Sequence, residues 1–157
     1  MPAGDVDAIP EGMLVGEVLN VDLDGDGRAD GFQVSVRNQF FHGSHPLGWF
    51  RDITITVDGE ILPSSQTYLG LRGQLFRCDL LRSILEVFWK EREIATILAV
   101  RQHGLSAGSH RIACSIGTSV QAYTRGLDLF DVRERGTLVL EQDFEVSGEM
   151  IALRGLL

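Results

Sequence analysis

The sequence predicts an all-β protein, folded as an antiparallel β-sandwich of about eight strands. Apolar and polar residues alternate in several segments, most clearly in Ile53–Val57 (ITITV). This alternation of β-branched residues is typical of strands with one buried face. Asp58-Gly59 follows at once, and this dipeptide favours the tight turn of a β-hairpin. Glycine-rich turns recur about every ten residues, which is the spacing expected of short antiparallel strands.

The chain of 157 residues has the length of a single domain. Residues 1–12 combine two Pro and two Gly with acidic residues, so we expect a flexible lead. Residues 13–157 contain no composition shift that would indicate a second linker. We therefore expect them to form one β-sandwich domain.

The charge balance excludes several classes of partner. The chain has 14 Lys+Arg against 22 Asp+Glu, a net charge of −8, whereas nucleic acids and anionic membranes are bound through basic faces. No apolar stretch approaches the about eighteen residues of a membrane-spanning helix. Cys78 and Cys114 form no CxxC pair, and the N-terminus lacks the features of a secretory signal. We expect a cytoplasmic protein with buried, reduced thiols that binds neither nucleic acid nor membrane.

The remaining elements are predicted in chain order. We expect a turn at DLDGDGRADG and a charged reversal at WKERE. Leu81, Ile84 and Leu85 follow helical spacing behind a potential cap, so one short helix or a turn is predicted near Asp79–Leu85, followed by a strand. The predicted strands are Leu14–Val21, Gly31–Phe41, Ile53–Val57, Glu60–Leu62, Gln66–Arg77 (one strand with its glycines at bulges), Glu93–Arg101, His110–Thr124 and Thr137–Val146.

The sharpest local motif is a run of alternating carboxylates, Asp22, Asp24, Asp26 and Asp30, around a glycine. It resembles a calcium loop of the EF-hand or dockerin type, in which carboxylates converge on one hard cation. The twelfth position holds Gln33 instead of a bidentate Glu, and the flanks are predicted strands rather than helices. Two interpretations therefore stay open: a Ca²⁺ site, or an acidic hairpin tip built from common turn residues.

The link FFHGSHPLGWF joins two predicted strands and is unusually rich in aromatic residues and histidine. Loops often carry function, and Trp49 and Phe50 are suited to anchor a partner. His42 and His45 are spaced like metal ligands or an acid–base pair, but no third group lies nearby in sequence. We interpret the link as a contact surface. The alternative is that its aromatic residues cap the open end of the sandwich while the histidines are solvated.

No catalytic motif is complete in this sequence. His103 and His110 flank a loop with Ser106 and Ser109, but the GxSxG elbow of a serine hydrolase is absent. A phosphate loop, a dinucleotide fingerprint and an HExxH motif are absent as well. We assign no catalytic residue and no firm metal ligand, a pattern that suits a subunit better than a standalone enzyme.

Several segments in a fixed order, over about Gly31 to Phe130, resemble the small (β) subunit of bacterial C-glycoside deglycosidases. They are GFQVSVRNQFF-HG, WFRDITITVDGE, LRGQLF, FWKEREIATILAV and GLSAGSHRIACSI. The acidic DLDGDG tip and the His- and Trp-rich link depart from the family pattern. The matching residues are Arg37, Phe40, Phe41, Gly43, Ile53 through Glu60, Trp89, Glu93, Ala95, Leu98, Val100, Gly104, Leu105, Gly108 and His110.

The resemblance implies a β-sandwich that binds a larger α subunit with a sugar-isomerase-like (β/α)₈ barrel. The complex is expected to cleave the C–C bond between a sugar and an aromatic aglycone after another enzyme has oxidised the 3-hydroxyl. A base on the barrel would remove the C2 proton, the aglycone would leave by β-elimination, and a divalent metal, Mn²⁺, would act as a Lewis acid there.

For this chain, the resemblance implies a non-catalytic subunit, without a cofactor of its own, that stabilises the α subunit and shapes its substrate mouth. The candidate contact residues are His42, His45, Trp49, Phe50 and Arg51. The competing hypothesis is a standalone carbohydrate- or calcium-binding β-sandwich module.

Overall fold

The predicted β-sandwich is confirmed by the computed structural model, which describes residues 14–38, 44–118 and 137–153. Two larger sheets and one two-stranded ribbon make up these residues. The strands are β1 (Leu14–Asp22), β2 (Gly31–Arg37), β3 (His45–Pro46), β4 (Phe50–Val57), β5 (Glu60–Leu62), β6 (Thr67–Leu71), β7 (Gln74–Arg77), β8 (Phe88–Trp89), β9 (Ile94–Val100), β10 (Gly108–Thr118), β11 (Thr137–Val146) and β12 (Met150–Ala152).

The first sheet has six strands in the order β12-β1-β2-β9-β6-β7, and the second has four in the order β11-β10-β4-β5. Strands β3 and β8 form the ribbon. All pairs are antiparallel except β1 with β12, which run parallel. Strand β12 therefore covers the outer edge of β1 with backbone hydrogen bonds.

One apolar core joins the inner faces of the two sheets. In the first sheet, Val34 of β2 lies opposite Ile97 of β9. In the second, Ile55 of β4 lies opposite Cys114 of β10. These four side chains are at most 1% exposed and belong to a single cluster of buried residues. The alternation that predicted the strands therefore also selected their buried faces.

Two tight hairpin turns occur in this part of the chain; one was predicted from the sequence and the other was not. Asp58 and Gly59 both have positive φ, 49° and 86°, as a type I′ turn between β4 and β5 requires. Gln66–Arg77 is not one strand with bulges, because Arg72 and Gly73, with φ of 48° and 84°, form a second such turn between β6 and β7. The first glycine of that segment, Gly70, lies within β6 opposite Leu75.

The short helix predicted near Asp79–Leu85 is a 3₁₀ helix at Cys78–Ser83. Its residues Cys78 and Leu81 are buried in the core cluster, which explains the apolar spacing in the sequence. The predicted reversal WKERE contains the turn at residues 91 and 92 between β8 and β9, and DLDGDGRADG is the connection between β1 and β2.

Some predictions fall partly or wholly outside the described residues. These are the lead at residues 1–12, the last residues of the strand predicted to end at Phe41, and those of the strand predicted to end at Thr124. Among the residues that the structure describes, no helix is long and apolar enough to cross a lipid bilayer.

Candidate functional site

The aromatic link folds onto the end of β8 through the β3–β8 ribbon, which pairs His45 with Trp89. The Phe50 ring lies 5.1 Å from the ring of Trp89, and both side chains are fully buried. His45 is only 5% exposed and stacks on Trp49 with ring centroids 4.9 Å apart. The alternative interpretation, in which the histidines are solvated, is therefore wrong for His45.

The five candidate contact residues thus have different surroundings. His42 lies outside the described residues. Phe50 and His45 are buried in the isolated chain, and Trp49 and Arg51 are partly exposed. Only Trp49 and Arg51 of the described members present surface to solvent. Contact with a partner stays a prediction for the group.

A second segment, residues 84–89, runs beside this link and is held to it by backbone hydrogen bonds. The amide of Leu47 donates to the carbonyl of Val87 at 2.9 Å, and that of Gly48 donates to the carbonyl of Ile84 at 2.7 Å. Gly48 packs so closely that a Cβ there would lie 2.8 Å from Cδ2 of Leu85. The link and this segment therefore form one surface.

Charged groups fasten the same region to the six-stranded sheet. Arg72, in the β6–β7 turn, forms an ion pair with Glu93 and donates from Nη2 to the carbonyl of Phe88 at 2.7 Å. Burial alone would raise the pKa of Glu93, but hydrogen bonds from Arg72 and from the Lys90 amide lower it. The side chain of Asn38 donates to the carbonyls of Trp89 and Lys90.

A histidine–aspartate pair joins β10 to the turn that follows β4, at the end of β4 away from the link. Nδ1 of His110 lies 2.6 Å from Oδ2 of Asp58, and Nε2 lies 2.7 Å from the carbonyl oxygen of Ser106. A carboxylate and a carbonyl both accept hydrogen bonds, so both bonds form together only when His110 is the doubly protonated imidazolium. The pKa of His110 is accordingly raised, chiefly by the bond to Asp58, although desolvation opposes this.

Next to this pair lies a shallow depression of about 480 Å³ lined by Glu60, Arg101, Gln102, His103, Gly104 and Ser106. Its main charges neutralise each other, because Nε of Arg101 lies 3.2 Å from Oε1 of Glu60. Within the described residues, Ser109 and His110 are not arranged as a catalytic pair. The hydroxyl of Ser109 donates to Glu145, and the His110 ring is bound on both nitrogens.

The four carboxylates predicted to converge do so. One oxygen from each of Asp22, Asp24, Asp26 and Asp30 lies within 4.8 Å of the others. Each carboxylate also accepts a backbone amide of the same loop; Asp22, for example, accepts those of Gly25 and Gly27, each at 2.8 Å.

Neighbouring carboxylates in this loop influence the pKa of Asp24. The Asp26 amide alone would lower the pKa of Asp24, but burial and the neighbouring carboxylates of Asp26 and Asp30 raise it. Like charges held together in this way favour binding a proton or a cation.

The twelfth position of the calcium motif is not available to this loop. Gln33 pairs with Leu19 across β1 and β2, whereas Asn20, two residues before Asp22, pairs with Phe32. Successive residues of a strand point to opposite faces, so Gln33 lies on the other face of the sheet from Asn20 and Asp22. The cluster is therefore a four-carboxylate hairpin loop without the ligand that completes an EF-hand.

Both cysteines are buried and free, as predicted. Burial, with smaller contributions from Cys114 and Asp79, raises the pKa of Cys78 well above its usual value. Burial raises the pKa of Cys114 to about 12. Since the thiolate is the reactive form, neither residue is poised as a nucleophile.

The sequence did not reveal a group of exposed apolar side chains near the link. Six large apolar residues of the described part are clearly exposed, and four of them lie between positions 80 and 94. A loop with irregular spacing gives no periodic signal for exposure, so only the structure identifies them. They are Leu80 (51% exposed), Leu85 (59%), Phe88 (43%) and Ile94 (47%).

Comparison with known families gives one finding. The family model described as C-glycoside deglycosidase beta subunit matches residues 14–123, well over half of the chain. No curated protein matches the chain significantly. The matched range contains the link, residues 80–94, the acidic loop and the His110–Asp58 pair.

Proposed function

Because the chain belongs to the family of C-glycoside deglycosidase β subunits, we propose that it is the non-catalytic subunit of such an enzyme and that its α partner performs the chemistry. The family match over residues 14–123 carries this proposal. It also favours a subunit over the standalone sugar-binding module.

We propose that the complex acts on 3-oxo-C-glycosides. The ketone at C3 acidifies the proton at C2, and a general base on the α subunit removes it. A double bond then forms between C1 and C2 as the C–C bond to the aglycone breaks, and the departing aglycone carbon takes up a proton. The base and a divalent metal, Mn²⁺, which supplies Lewis acidity, are placed at the C-terminal face of a (β/α)₈ barrel in that subunit.

The state of this chain's own reactive groups supports the assignment of catalysis to the partner. Cys78 and Cys114 are buried, with raised pKa values. Both ring nitrogens of His110 face fixed acceptors, and as an imidazolium this ring has no lone pair to accept a substrate proton. The His45 ring is buried against Trp49. These groups stabilise the fold.

The link is proposed to shape one wall of the substrate mouth on the α subunit. Trp49 and Arg51 are the accessible members, and the buried His45 and Phe50 fix their backbone. Stacking on His45 holds the Trp49 ring in one orientation, which lowers the entropy lost when an aromatic aglycone or a partner side chain packs on it. His42, which lies outside the described residues, remains a candidate contact on the basis of the sequence alone.

The test is reconstitution of the enzyme from its two chains. The cognate α subunit would be assayed for aglycone release from a 3-oxo-C-glycoside with and without this chain, and the mixture analysed by size exclusion. We expect co-elution, and full activity only with both chains. An α subunit that elutes alone and cleaves substrate at the full rate without this chain would refute the proposal.

The contribution of the link is tested by Trp49→Ala in the reconstituted complex. Loss of a packed aromatic contact is expected to raise KM or lower kcat/KM by about tenfold, while the two chains still co-elute. Ile61→Ala is the matched control, because Ile61 is 70% exposed on the edge strand β5, outside the link and its ribbon. Unchanged kinetics in Trp49→Ala would remove the link from the substrate mouth.

Calcium binding by the acidic loop stays a second prediction, favoured by the convergence of its four carboxylates. A cation between them would relieve the repulsion that raises the pKa of Asp24. Without a bidentate ligand at the twelfth position, calcium binding is expected to be weak, with a dissociation constant of about 10⁻⁴–10⁻³ M. Isothermal titration that gives no heat at such concentrations, together with an unchanged melting temperature, would end this hypothesis.

A further inference from the structure

We propose that the α subunit docks on the exposed apolar side chains Leu80, Leu85, Phe88 and Ile94, called here the 80–94 surface. The proposal rests on the assignment as a β subunit and adds where the partner binds. Several exposed aromatic and aliphatic groups within one short segment are uncommon on a monomer surface and often mark an interaction site. The other two exposed apolar residues of the described part, Ile61 and Met150, lie on the edge strands β5 and β12.

The 80–94 surface is held rigidly by buried neighbours. Leu81 and Trp89, each fully buried, alternate with the exposed residues along the segment. Nε1 of Trp89 donates to the carbonyl of Glu93 at 2.8 Å, and Arg72 donates to the carbonyl of Phe88. Exposed side chains on a backbone fixed in this way lose little entropy on binding, as interface anchors require.

Phe88 and Leu85 are the residues of this surface that adjoin the link. Phe88 pairs with Pro46 across the β3–β8 ribbon, and Leu85 packs against Gly48 on the same link. The surface is therefore continuous with Trp49, the residue proposed above to face the substrate mouth. A partner docked on this surface would therefore lie beside the link that carries Trp49.

The local net charge does not oppose an apolar partner face. Residues 80–94 contain three basic residues, Arg82, Lys90 and Arg92, and three acidic ones, while the whole chain carries a net charge of −8. This segment is thus neutral overall in an acidic protein, so it would not repel a partner of either charge. The occupant is inferred to be a predominantly apolar face of the α subunit, so binding should depend only weakly on salt.

The direct test is Leu85→Glu combined with Phe88→Glu in the full chain. Carboxylates buried without partners at an apolar interface are strongly unfavourable, so affinity for the recombinant α subunit should fall by about a hundredfold or more. Ile61→Glu, the same type of substitution at a more exposed position, should leave affinity unchanged. Melting curves of the three chains report whether each variant is folded.

A second measurement needs no variant. Lys90 is the only lysine of the chain and is exposed beside Phe88. Acetylation with an amine-reactive ester, followed by mass spectrometry, therefore reports on this position alone apart from the N-terminus. We expect Lys90 to react at least about tenfold more slowly in the α–β complex than in the free chain if docking buries it.

The outcomes separate the two proposals. A wild-type chain that does not bind the α subunit would overturn the subunit assignment together with this one. A wild-type complex in which Lys90 stays reactive, and which tolerates both charges, would overturn the 80–94 surface alone. Dimers of the free chain that the double variant dissociates, with binding to the α subunit intact, would assign the surface to self-association and overturn the proposal as well.

Discussion

The pair formed by His110 and Asp58 predicts a pH dependence of stability that a single substitution isolates. In the wild-type chain the imidazolium donates to Asp58 and to the carbonyl of Ser106. His110→Gln removes the charge and leaves at most one of these bonds. We expect the variant to unfold more easily at pH 6 and to approach the wild type at high pH.

The magnitude follows from the exposure of the two groups. A hydrogen bond to a charged group contributes about 1.5–3 kcal/mol, but an exposed ion pair contributes only about 0–1 kcal/mol. His110 is 12% exposed and Asp58 is 50% exposed, so the pair lies between these cases. We expect a loss of about 1–2 kcal/mol near pH 6, equivalent to about 2–8 °C in melting temperature for a chain of this length.

The direction follows from the two pKa shifts. The pKa of His110 is raised above 6.5, so its contribution is complete below 6.5 and is lost as the pH rises through the raised value. The pKa of Asp58 is lowered below 3.8, chiefly by the bond from His110, so its contribution is present above 3.8 and is lost as the pH falls through the lowered value. The pair therefore stabilises most between these limits.

Urea unfolding at a series of pH values measures this effect as the difference between wild type and variant. His103→Gln is the matched control, because His103 is exposed in the same loop and the His110–Asp58 bond remains. A difference between wild type and His110→Gln that stays constant from about pH 5.5 to pH 9 would refute the assignment of a doubly donating imidazolium.

Three further predictions concern other parts of the molecule. Cys78 and Cys114 should react slowly with a thiol reagent in the native chain and rapidly in denaturant, because both are buried with raised pKa values. Fast labelling of the native chain would contradict this. Gly104→Ala should destabilise by about 2 kcal/mol or more in urea, because φ is +60° and the new Cβ would lie 2.5 Å from Oδ1 of Asn20; a neutral effect would refute the tight contact. Asp22→Asn should abolish any calcium-induced rise in melting temperature, and a rise that persists would place the cation elsewhere.

Local patterns in the sequence predicted local structure well. The alternation at Ile53–Val57 identified β4 and its buried face, and Asp58-Gly59 identified its turn. The acidic loop was also predictable, because its four carboxylates lie within nine residues and one turn brings them together. The turn at Arg72 was missed, because an arginine with positive φ is uncommon and carries no signal.

Pairings between distant residues were not predictable. His110 and Asp58 are 52 positions apart, and only the alignment of β4 with β10 brings them together. The burial of Phe50 depends on Trp89, which no local pattern connects with it. Periodicity shows which face of a strand is apolar, but it does not show which distant segment will cover that face.

The long-range pairing of β2 with β9 has a consequence for how the protein is made. Gly31 pairs with Val100, so the central pair of the six-stranded sheet closes only when about seventy intervening residues have emerged from the ribosome. Until then Phe32 and Val34 have no covering strand, and the nascent chain exposes apolar surface. Folding should be slow, in the millisecond-to-second range of such topologies, and yields of folded protein should improve when translation is slowed by cooling.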